Sequence, residues 1–303
     1  MDCLGTFCES TRRCGSKIIA IRVQEPIYMV KTVESLPGIL EKYDTTINVI
    51  GGIKDYSAIF KVINSYFDGG DSVNQLIYQQ NGFNLRTAKS RERIEKAINK
   101  AFLNFKNPGH QILIKSLMSD HIPWADKQMV LFWHFSLNNR LFREISTQVF
   151  AKMFYSGRVS INKNDIVAYL KEFITTKEAR EISWSESTIN TLATKYLNLM
   201  TKLRFLKPKR NKVFEEIRLS SQSLVIFIYF AKLFDPYGND IFKNQFLPLL
   251  LINQQEIVER LKKLAIRGHF NMDFNGVSLN INLIYPYQEI SDVLYRQSSA
   301  EIY

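Results

Sequence analysis

The stretch from Ser183 to Lys212 constrains the fold most, because it joins a helix start, an amphipathic pattern and a run of positive charge. Ser183 and Glu186 have the spacing of a capping box, in which each side chain bonds the backbone amide of the other residue. We therefore predict that a helix begins at Ser183. Apolar residues then recur at three- and four-residue steps, which indicates one buried helical stripe. The stripe consists of Ile189, Leu192, Ala193, Tyr196, Leu197, Met200 and Leu203.

The opposite face of this helix carries small hydrogen-bonding side chains and lysines, which suit contact with bases and phosphates. The same pattern is typical of an ordinary surface helix with a solvated face, so both interpretations stay open. The candidate nucleic-acid-binding residues on this face are Thr191, Thr194, Lys195, Asn198 and Lys202.

A basic turn follows the helix, and Pro208 prevents the helix from continuing through it. We predict a strand from Val213 to Leu219 after this turn. A helix, a basic turn and a strand in this order are typical of a winged helix-turn-helix, with the turn as its wing. The candidate phosphate-binding residues of the wing are Lys207, Lys209, Arg210 and Lys212.

A second basic segment lies in the helix predicted from Asn84 to Asn107. Its cations cluster in the N-terminal half, where the helix dipole does not favour them. That position favours an electrostatic partner, and an ordinary solvated face is the alternative interpretation. The candidate phosphate-binding residues of this segment are Arg86, Lys89, Arg91 and Arg93.

The charge of the whole chain narrows the class of partner. A formal net charge of +11 favours a polyanion, with nucleic acid as the first candidate and an anionic membrane surface as the second. The charge can also serve solubility alone. The most apolar run, Leu224 to Phe234, has about half the length of a transmembrane helix. We therefore predict no membrane partner and a cytoplasmic location.

The three cysteines, Cys3, Cys8 and Cys14, lie together near the N-terminus. They do not form the framework of a disulfide scaffold, and a structural zinc site would need a fourth ligand. Met29 is a plausible alternative start. We therefore expect residues 1–28 to be a disordered extension or an over-long gene product.

The predicted fold class is mainly α, with the chain divided into four segments. Residues 1–32 are a disordered or over-long extension, and 33–156 form a helical domain. Residues 157–220 form a winged-helix-like domain with the basic wing, and 221–303 form a second helix-hairpin domain, also winged-helix-like.

The strongest local signal is a β-hairpin in the last segment. Apolar and polar residues alternate from Phe270 to Phe274 and from Val277 to Leu283, on either side of Asn275-Gly276, which predicts a type I′ turn. An apolar helix is predicted before it, from Asp240 to Leu251. Because this hairpin is acidic to neutral, we expect it to pack or to dimerise rather than to bind phosphate.

No catalytic motif is present in the sequence: we find no Walker loop, no dinucleotide-binding glycine pattern, no zinc-protease motif and no nucleophile elbow. The histidines, His110, His121, His134 and His269, lie apart, and His134 sits in an apolar helix where a core position is expected. Carboxylates that converge only in the folded chain would escape such a search. We predict a protein that is not an enzyme, with no catalytic residue, cofactor or metal.

With these segments in view, the chain resembles the BrxA family of BREX bacteriophage-defence components. The resemblance rests on Asn84–Ile94, on the apolar helices from Ile112 to Phe150, and above all on Trp184–Leu206. It covers roughly Thr45 to Ser220. It implies a mainly helical protein whose N-terminal part, 33–156, is similar to the NusB antitermination fold. It also implies binding of double-stranded DNA without catalysis, in a system with a methyltransferase and large ATPases.

The resulting hypothesis is a non-enzymatic protein that binds double-stranded DNA, mainly through phosphates and with weak sequence preference. Three alternatives stay open: RNA binding by a NusB-like fold, an adaptor that docks other subunits of the defence system, and a transcription repressor. The repressor would require a specific operator and a symmetric dimer. A homodimer is therefore a further partner that the sequence allows.

Overall fold

The structure is a computed structural model of the chain, and it describes residues 42–69, 71–176, 179 and 182–295. The predicted extension 1–32, its cysteines and Met29 lie outside these residues. The described residues lie in one compact unit.

Helices make up most of the regular structure, and the prediction of a mainly α fold is confirmed. The helices before the first strand are α1 (Thr46–Ile50), α2 (Ser57–Asp68), α3 (Asp71–Asn74), α4 (Ala88–Phe102), α5 (Pro108–Leu117), α6 (Trp124–Asn138), α7 (Arg140–Ile145) and α8 (Lys152–Tyr155). A π-helical turn, Gln75–Gln79, follows α3, and a second one, Ser146–Ala151, joins α7 to α8. The later helices are α9 (Lys163–Phe173), α10 (Glu186–Lys202), α11 (Ser221–Phe234), α12 (Gln254–Ile266) and α13 (Ile290–Tyr295).

The first antiparallel strand pair lies beside α9 and α10. Strand β1 (Ser160–Ile161) pairs with β2 (Lys212–Val213), and one further bridge joins Leu206 to Phe214. The predicted strand from Val213 to Leu219 is therefore wrong in its length. The last backbone bond of this pairing joins the amide of Glu215 to the carbonyl of Phe205 at 2.9 Å, and Ser220 caps α11 five residues later.

The C-terminal hairpin confirms the first predicted strand, whereas the second begins at Leu279 and not at Val277, and the predicted turn is wrong. Strand β3 (Phe270–Phe274) pairs with β4 (Leu279–Leu283) in antiparallel register. The connection is a four-residue loop, 275–278, in which Asn275 Oδ1 accepts the amides of Val277 and Ser278 at 3.0 and 2.8 Å. Gly276 has a positive φ and Asn275 does not, whereas a type I′ turn needs both.

The helix predicted from Asp240 to Leu251 is also wrong. Two short 3₁₀ turns, Ile241–Lys243 and Leu247–Leu250, occupy this segment. Asn244 separates them, because its buried amide donates to the carbonyl of Ala231 and accepts the amide of Phe246. Such local bonds from an asparagine side chain compete with helix formation.

One hydrophobic core extends through all three predicted segments from 33 to 303. Trp133 of α6, Tyr196 of α10 and Tyr229 of α11 are fully buried in it. The indole Nε1 of Trp133 donates to the carbonyl of Leu249 at 3.1 Å, so α6 is joined to the C-terminal segment directly. The division of this part of the chain into separate domains stays a prediction.

Candidate nucleic-acid interface

Helix α10 begins two residues later than its predicted cap. Ser185 is the N-cap, and its hydroxyl accepts the amide of Thr188 at 3.2 Å. The predicted capping box of Ser183 and Glu186 is therefore wrong. Glu186 instead accepts a bond from Lys171 of α9 at 2.8 Å. The side of α10 that faces the core matches the prediction, since every residue of the predicted apolar stripe is buried.

The C-terminal half of the polar face of α10 is covered by α1. Gly51 lies so close to the helix that a Cβ atom there would collide with the carbonyl oxygen of Lys195. Lys195 and Asn198 are consequently half-buried, although the sequence placed them on a solvent face. Thr191 and Thr194, one turn earlier, are exposed.

The ammonium group of Lys202 has partners inside the fold. It donates to the carbonyl of Ile53, lies 3.4 Å from the carbonyl of Gly51, and stands 5.3 Å from the ring centroid of Tyr56. Burial, and then the nearby charge of Lys195, lower the pKa of Lys202. The expectation that Lys202 lies on a free solvent face is therefore wrong. Its ammonium group binds backbone carbonyls directly after the C-terminal end of α1.

The two exposed threonines, Thr191 and Thr194, already use their hydroxyl protons in hydrogen bonds within α10. Their hydroxyls donate to backbone carbonyls one turn back, Thr191 to Ser187 at 2.8 Å and Thr194 to Asn190 at 2.9 Å. A hydroxyl that donates in this way still has acceptor lone pairs. Thr191 and Thr194 can therefore accept, but not readily donate, a further hydrogen bond from outside.

The basic wing is built as a short hairpin beside β1. The amide of Lys207 donates to the carbonyl of Val213 at 2.8 Å, and the amide of Phe214 donates to Val159 at 3.1 Å. Phe214 packs against Phe150 with ring centroids 5.0 Å apart, which fixes the hairpin to the helical core.

The cations of the wing keep their charges unneutralised. Lys209 and Arg210 are exposed, and Lys207 and Lys212 are half-buried. Across the described ranges, none of these four side chains has a carboxylate within 4.0 Å. The hairpin thus presents several positive charges in a few residues of rigid backbone.

The second basic segment is shorter than predicted, since α4 begins at Ala88 and not at Asn84. Thr87 caps it by accepting the amide of Ser90 at 3.2 Å. The residues before the cap cannot be helical, because Asn81 and Asn84 have positive φ values. Arg86, Lys89 and Arg93 are exposed at this end, and the first turn of α4 has no acidic residue.

Arg91 serves the loop before α4. Its guanidinium donates to the carbonyl of Leu85 at 3.1 Å and lies 3.4 Å from Asn81 Oδ1. The Asn81 side chain also bonds both the amide and the carbonyl of Leu85. Arg91 is half-buried, so among the four predicted phosphate ligands of this segment it is the one whose side chain is turned to the protein.

One short helix, α1, packs against both α4 and α10. The salt bridge of Lys100 at the end of α4 with Asp44 before α1, 3.0 Å long, supports this contact.

A buried pair of histidines was not expected from the sequence. The amide of Lys106 donates to His110 Nδ1 at 3.1 Å, His110 Nε2 lies 3.1 Å from His134 Nδ1, and His134 Nε2 lies 2.9 Å from the carbonyl of Phe102. This chain of bonds is complete when each ring is neutral with its proton on Nε2. The predicted core position of His134 is confirmed. No sequence signal could have paired it with His110, since a helix end and a turn separate them.

Two further kinds of feature, a metal site and a membrane-spanning helix, were searched for among the described residues. In residues 42–69, 71–176, 179 and 182–295 no three His, Cys, Asp or Glu side chains form a group that could hold a metal ion. Over the same residues no helix is both long and apolar enough to cross a membrane.

Comparison with known proteins gives one family. The family model described as BrxA matches residues 54–227, more than half of the chain. A search of curated proteins finds no significant match. Among solved structures, the crystal structure of an uncharacterized protein from Magnetospirillum magneticum is similar, with 14% sequence identity and a TM-score of 0.49. The match covers 63% of this chain and 95% of that one.

Proposed function

This chain belongs to the BrxA family, and from that premise we propose that it is a non-enzymatic component of a BREX-type phage defence that binds double-stranded DNA. Phosphate contacts supply most of the affinity, and sequence preference is weak because phosphates carry no direct sequence information. Other subunits of the same defence system are further partners in this proposal.

The observation that carries the proposal is the construction of the wing. Helices α9 and α10 lie between β1 and the hairpin, and β1 pairs with the far strand of that hairpin. Helix, strand, two helices and a strand-wing-strand unit in this order are typical of a winged helix. The unpaired cations of the turn, Lys207, Lys209, Arg210 and Lys212, support contact with a DNA backbone.

The start of α4 supports a second phosphate contact. Arg86, Lys89 and Arg93 are exposed beside a capped helix N-terminus, where the positive end of the helix dipole adds to their charges. Thr191 and Thr194 remain the candidates on α10 for contact with a groove. The proposal does not use four of the predicted residues as DNA ligands. Lys202 and Arg91 bind backbone carbonyls of the protein, and Lys195 and Asn198 are half-buried.

The test is a salt titration of binding to a DNA duplex of random sequence, followed by fluorescence anisotropy from 50 to 200 mM salt. The triple variant Lys207→Ala, Lys209→Ala, Arg210→Ala is expected to bind more weakly. The slope of log affinity against log salt should become shallower by roughly 0.9 for each phosphate that the variant no longer binds. An unchanged slope would contradict the wing as the DNA contact.

Two control variants distinguish the loss of a DNA contact from a change in net charge and from a loss of stability. The triple variant Lys262→Ala, Lys263→Ala, Arg267→Ala removes the same charge from exposed positions in α12 and directly after it, and should leave the slope unchanged. Lys202→Ala should instead lower the free energy of unfolding, because it opens the end of α1. A competing RNA duplex of equal length should displace the DNA poorly, and efficient displacement would favour RNA as the ligand.

A further inference from the structure

Helix α10 ends in a Schellman motif that places Arg204 in the left-handed region. The amide of Arg204 donates to the carbonyl of Thr201 at 3.1 Å, and the amide of Phe205 donates to Met200 at 3.0 Å. Arg204 has a φ of 58°. Glycine is the residue that usually occupies this position, because any side chain there crowds the backbone.

The same chain uses glycine in the equivalent place on another helix. Helix α12 ends with the same two bonds, from Gly268 to Ala265 at 2.9 Å and from His269 to Leu264 at 3.3 Å. Gly268 has a φ of 80°. Arg204 thus occupies a position that glycine occupies after α12 and that requires no side chain.

The side chain of Arg204 makes no polar contact in the described fold that would offset the strain of its backbone. Three other described residues besides glycine have positive φ, and two of them are asparagines, which tolerate this region. The third, Leu251, is only 2% exposed, so its side chain contributes to the core. Arg204 is exposed, and its guanidinium has no hydrogen bond, ion pair or ring contact with any described residue.

Arg204 lies at the junction between α10 and the basic wing. It stands between the last turn of α10 and Leu206, where the hairpin with the basic wing begins. An anion that lies along the wing therefore passes this junction. A guanidinium suits a phosphate, because its planar fork can donate two parallel hydrogen bonds.

We propose that Arg204 binds a backbone phosphate of DNA at the junction of α10 and the wing. The proposal rests on the DNA-binding function proposed above and adds a residue to it. It assigns the strained conformation to ligand binding, since the guanidinium has no polar partner in the described fold.

Replacement by glycine tests this assignment, because it has opposite effects on folding and on binding. Arg204→Gly should leave the unfolding temperature unchanged or raise it, since the left-handed strain is removed. Its affinity for duplex DNA should fall roughly tenfold, which is the effect of one hydrogen bond to a charged group. The salt slope should become shallower by about 0.9. Arg204→Lys keeps the charge and should keep the slope of the wild type.

Gly268→Arg is the matched control, because it moves the same strained arginine to the end of α12. It should lower the unfolding temperature and leave the salt slope unchanged. A lower unfolding temperature of Arg204→Gly would assign the side chain to the fold and overturn the proposal. If the wild type binds DNA and Arg204→Gly binds with the same slope, Arg204 is not a ligand, although the proposed function stands. If the wild type does not bind DNA, both fail.

Discussion

The paired histidines His110 and His134 are fully buried, and their rings lie within hydrogen-bond distance of each other. Burial lowers the pKa of both below the ordinary value, and for His110 the charges of His134 and Lys106 add to the effect. The bond from the amide of Lys106 to His110 and the bond between the two rings require neutral imidazoles. Protonation of His110 would set its Nδ1–H against the amide of Lys106, and protonation of His134 would set its Nδ1–H against the Nε2–H of His110.

The free energy of unfolding is therefore expected to fall as the pH is lowered. The unfolded chain takes up protons on these histidines near pH 6.5, whereas the folded chain does not, because its pKa values are depressed. Stability is thus greatest above pH 6.5. It should decrease by roughly 2 kcal/mol for each of the two residues between pH 7.5 and pH 5. Urea denaturation at a series of pH values measures this loss.

Single replacements identify the residues responsible. His134→Gln should make the dependence on pH weaker, whereas His121→Gln changes an exposed residue outside the pair and should leave it unchanged. Burial and the charge of Arg267 also lower the pKa of His269, which adds a smaller effect of the same sign. A stability that is constant from pH 7.5 to pH 5 would show that the pair is not buried and neutral.

Among the helices, α10 shows how neighbouring signals for a helix start are resolved. Ser183 and Ser185 both have the chemistry of an N-cap. The sequence favours Ser183 because a glutamate follows three residues later, but Glu186 is bonded to Lys171 of α9. In the structure Ser185 is the cap, and Glu186 bonds Lys171 rather than the amide of Ser183.

Replacement of each serine tests the position of the cap. Ser185→Ala should cost about 1 kcal/mol of stability, because the amide of Thr188 loses its acceptor. Ser183→Ala, the matched control, should leave the stability nearly unchanged. Thermal unfolding followed by circular dichroism compares the two variants. Equal losses of stability, or a larger loss for Ser183→Ala, would show that Ser183 caps the helix through the predicted capping box.

In the whole molecule, the buried carboxylate of Asp126 joins distant parts of the chain. Its Oδ1 accepts the hydroxyls of Ser220 and Ser223 at 2.8 and 2.6 Å, and its Oδ2 accepts the hydroxyl of Tyr295 at 2.9 Å. Burial and then the charge of Asp126 raise the pKa of Tyr295. One residue at the start of α6 thereby fixes the starts of α6 and α11 together with α13.

We expect the described part of the chain to unfold as one unit for this reason. Tyr295→Phe should lower the free energy of unfolding by about 1.5–3 kcal/mol, since it removes a hydrogen bond to a charged group. The single transition should shift without splitting, with circular dichroism and tryptophan fluorescence superimposed at every urea concentration. Tyr237→Phe changes an exposed hydroxyl and should have no effect. Two separate transitions would favour the independent domains predicted from the sequence.

The candidate interface was predictable in part. The charges of the wing follow from the order of residues along a turn, so Lys209 and Arg210 are exposed where the sequence places them. The sequence around Arg91 and Lys202 does not distinguish these two residues from exposed surface cations. Their partners, the carbonyls of Leu85 and Ile53, belong to segments whose approach no local pattern reveals.

The sequence by itself determined what depends on the period of a helix or strand: the mainly α class, the buried stripe of α10 and the strands of the C-terminal hairpin. These features arise because neighbouring side chains must share one face. The tertiary structure decided which surfaces meet, and with them the cap at Ser185, the neutral pair of His110 and His134 and the capture of Lys202. Burial and hydrogen bonding between segments far apart in sequence set these features, and residue spacing does not encode such contacts.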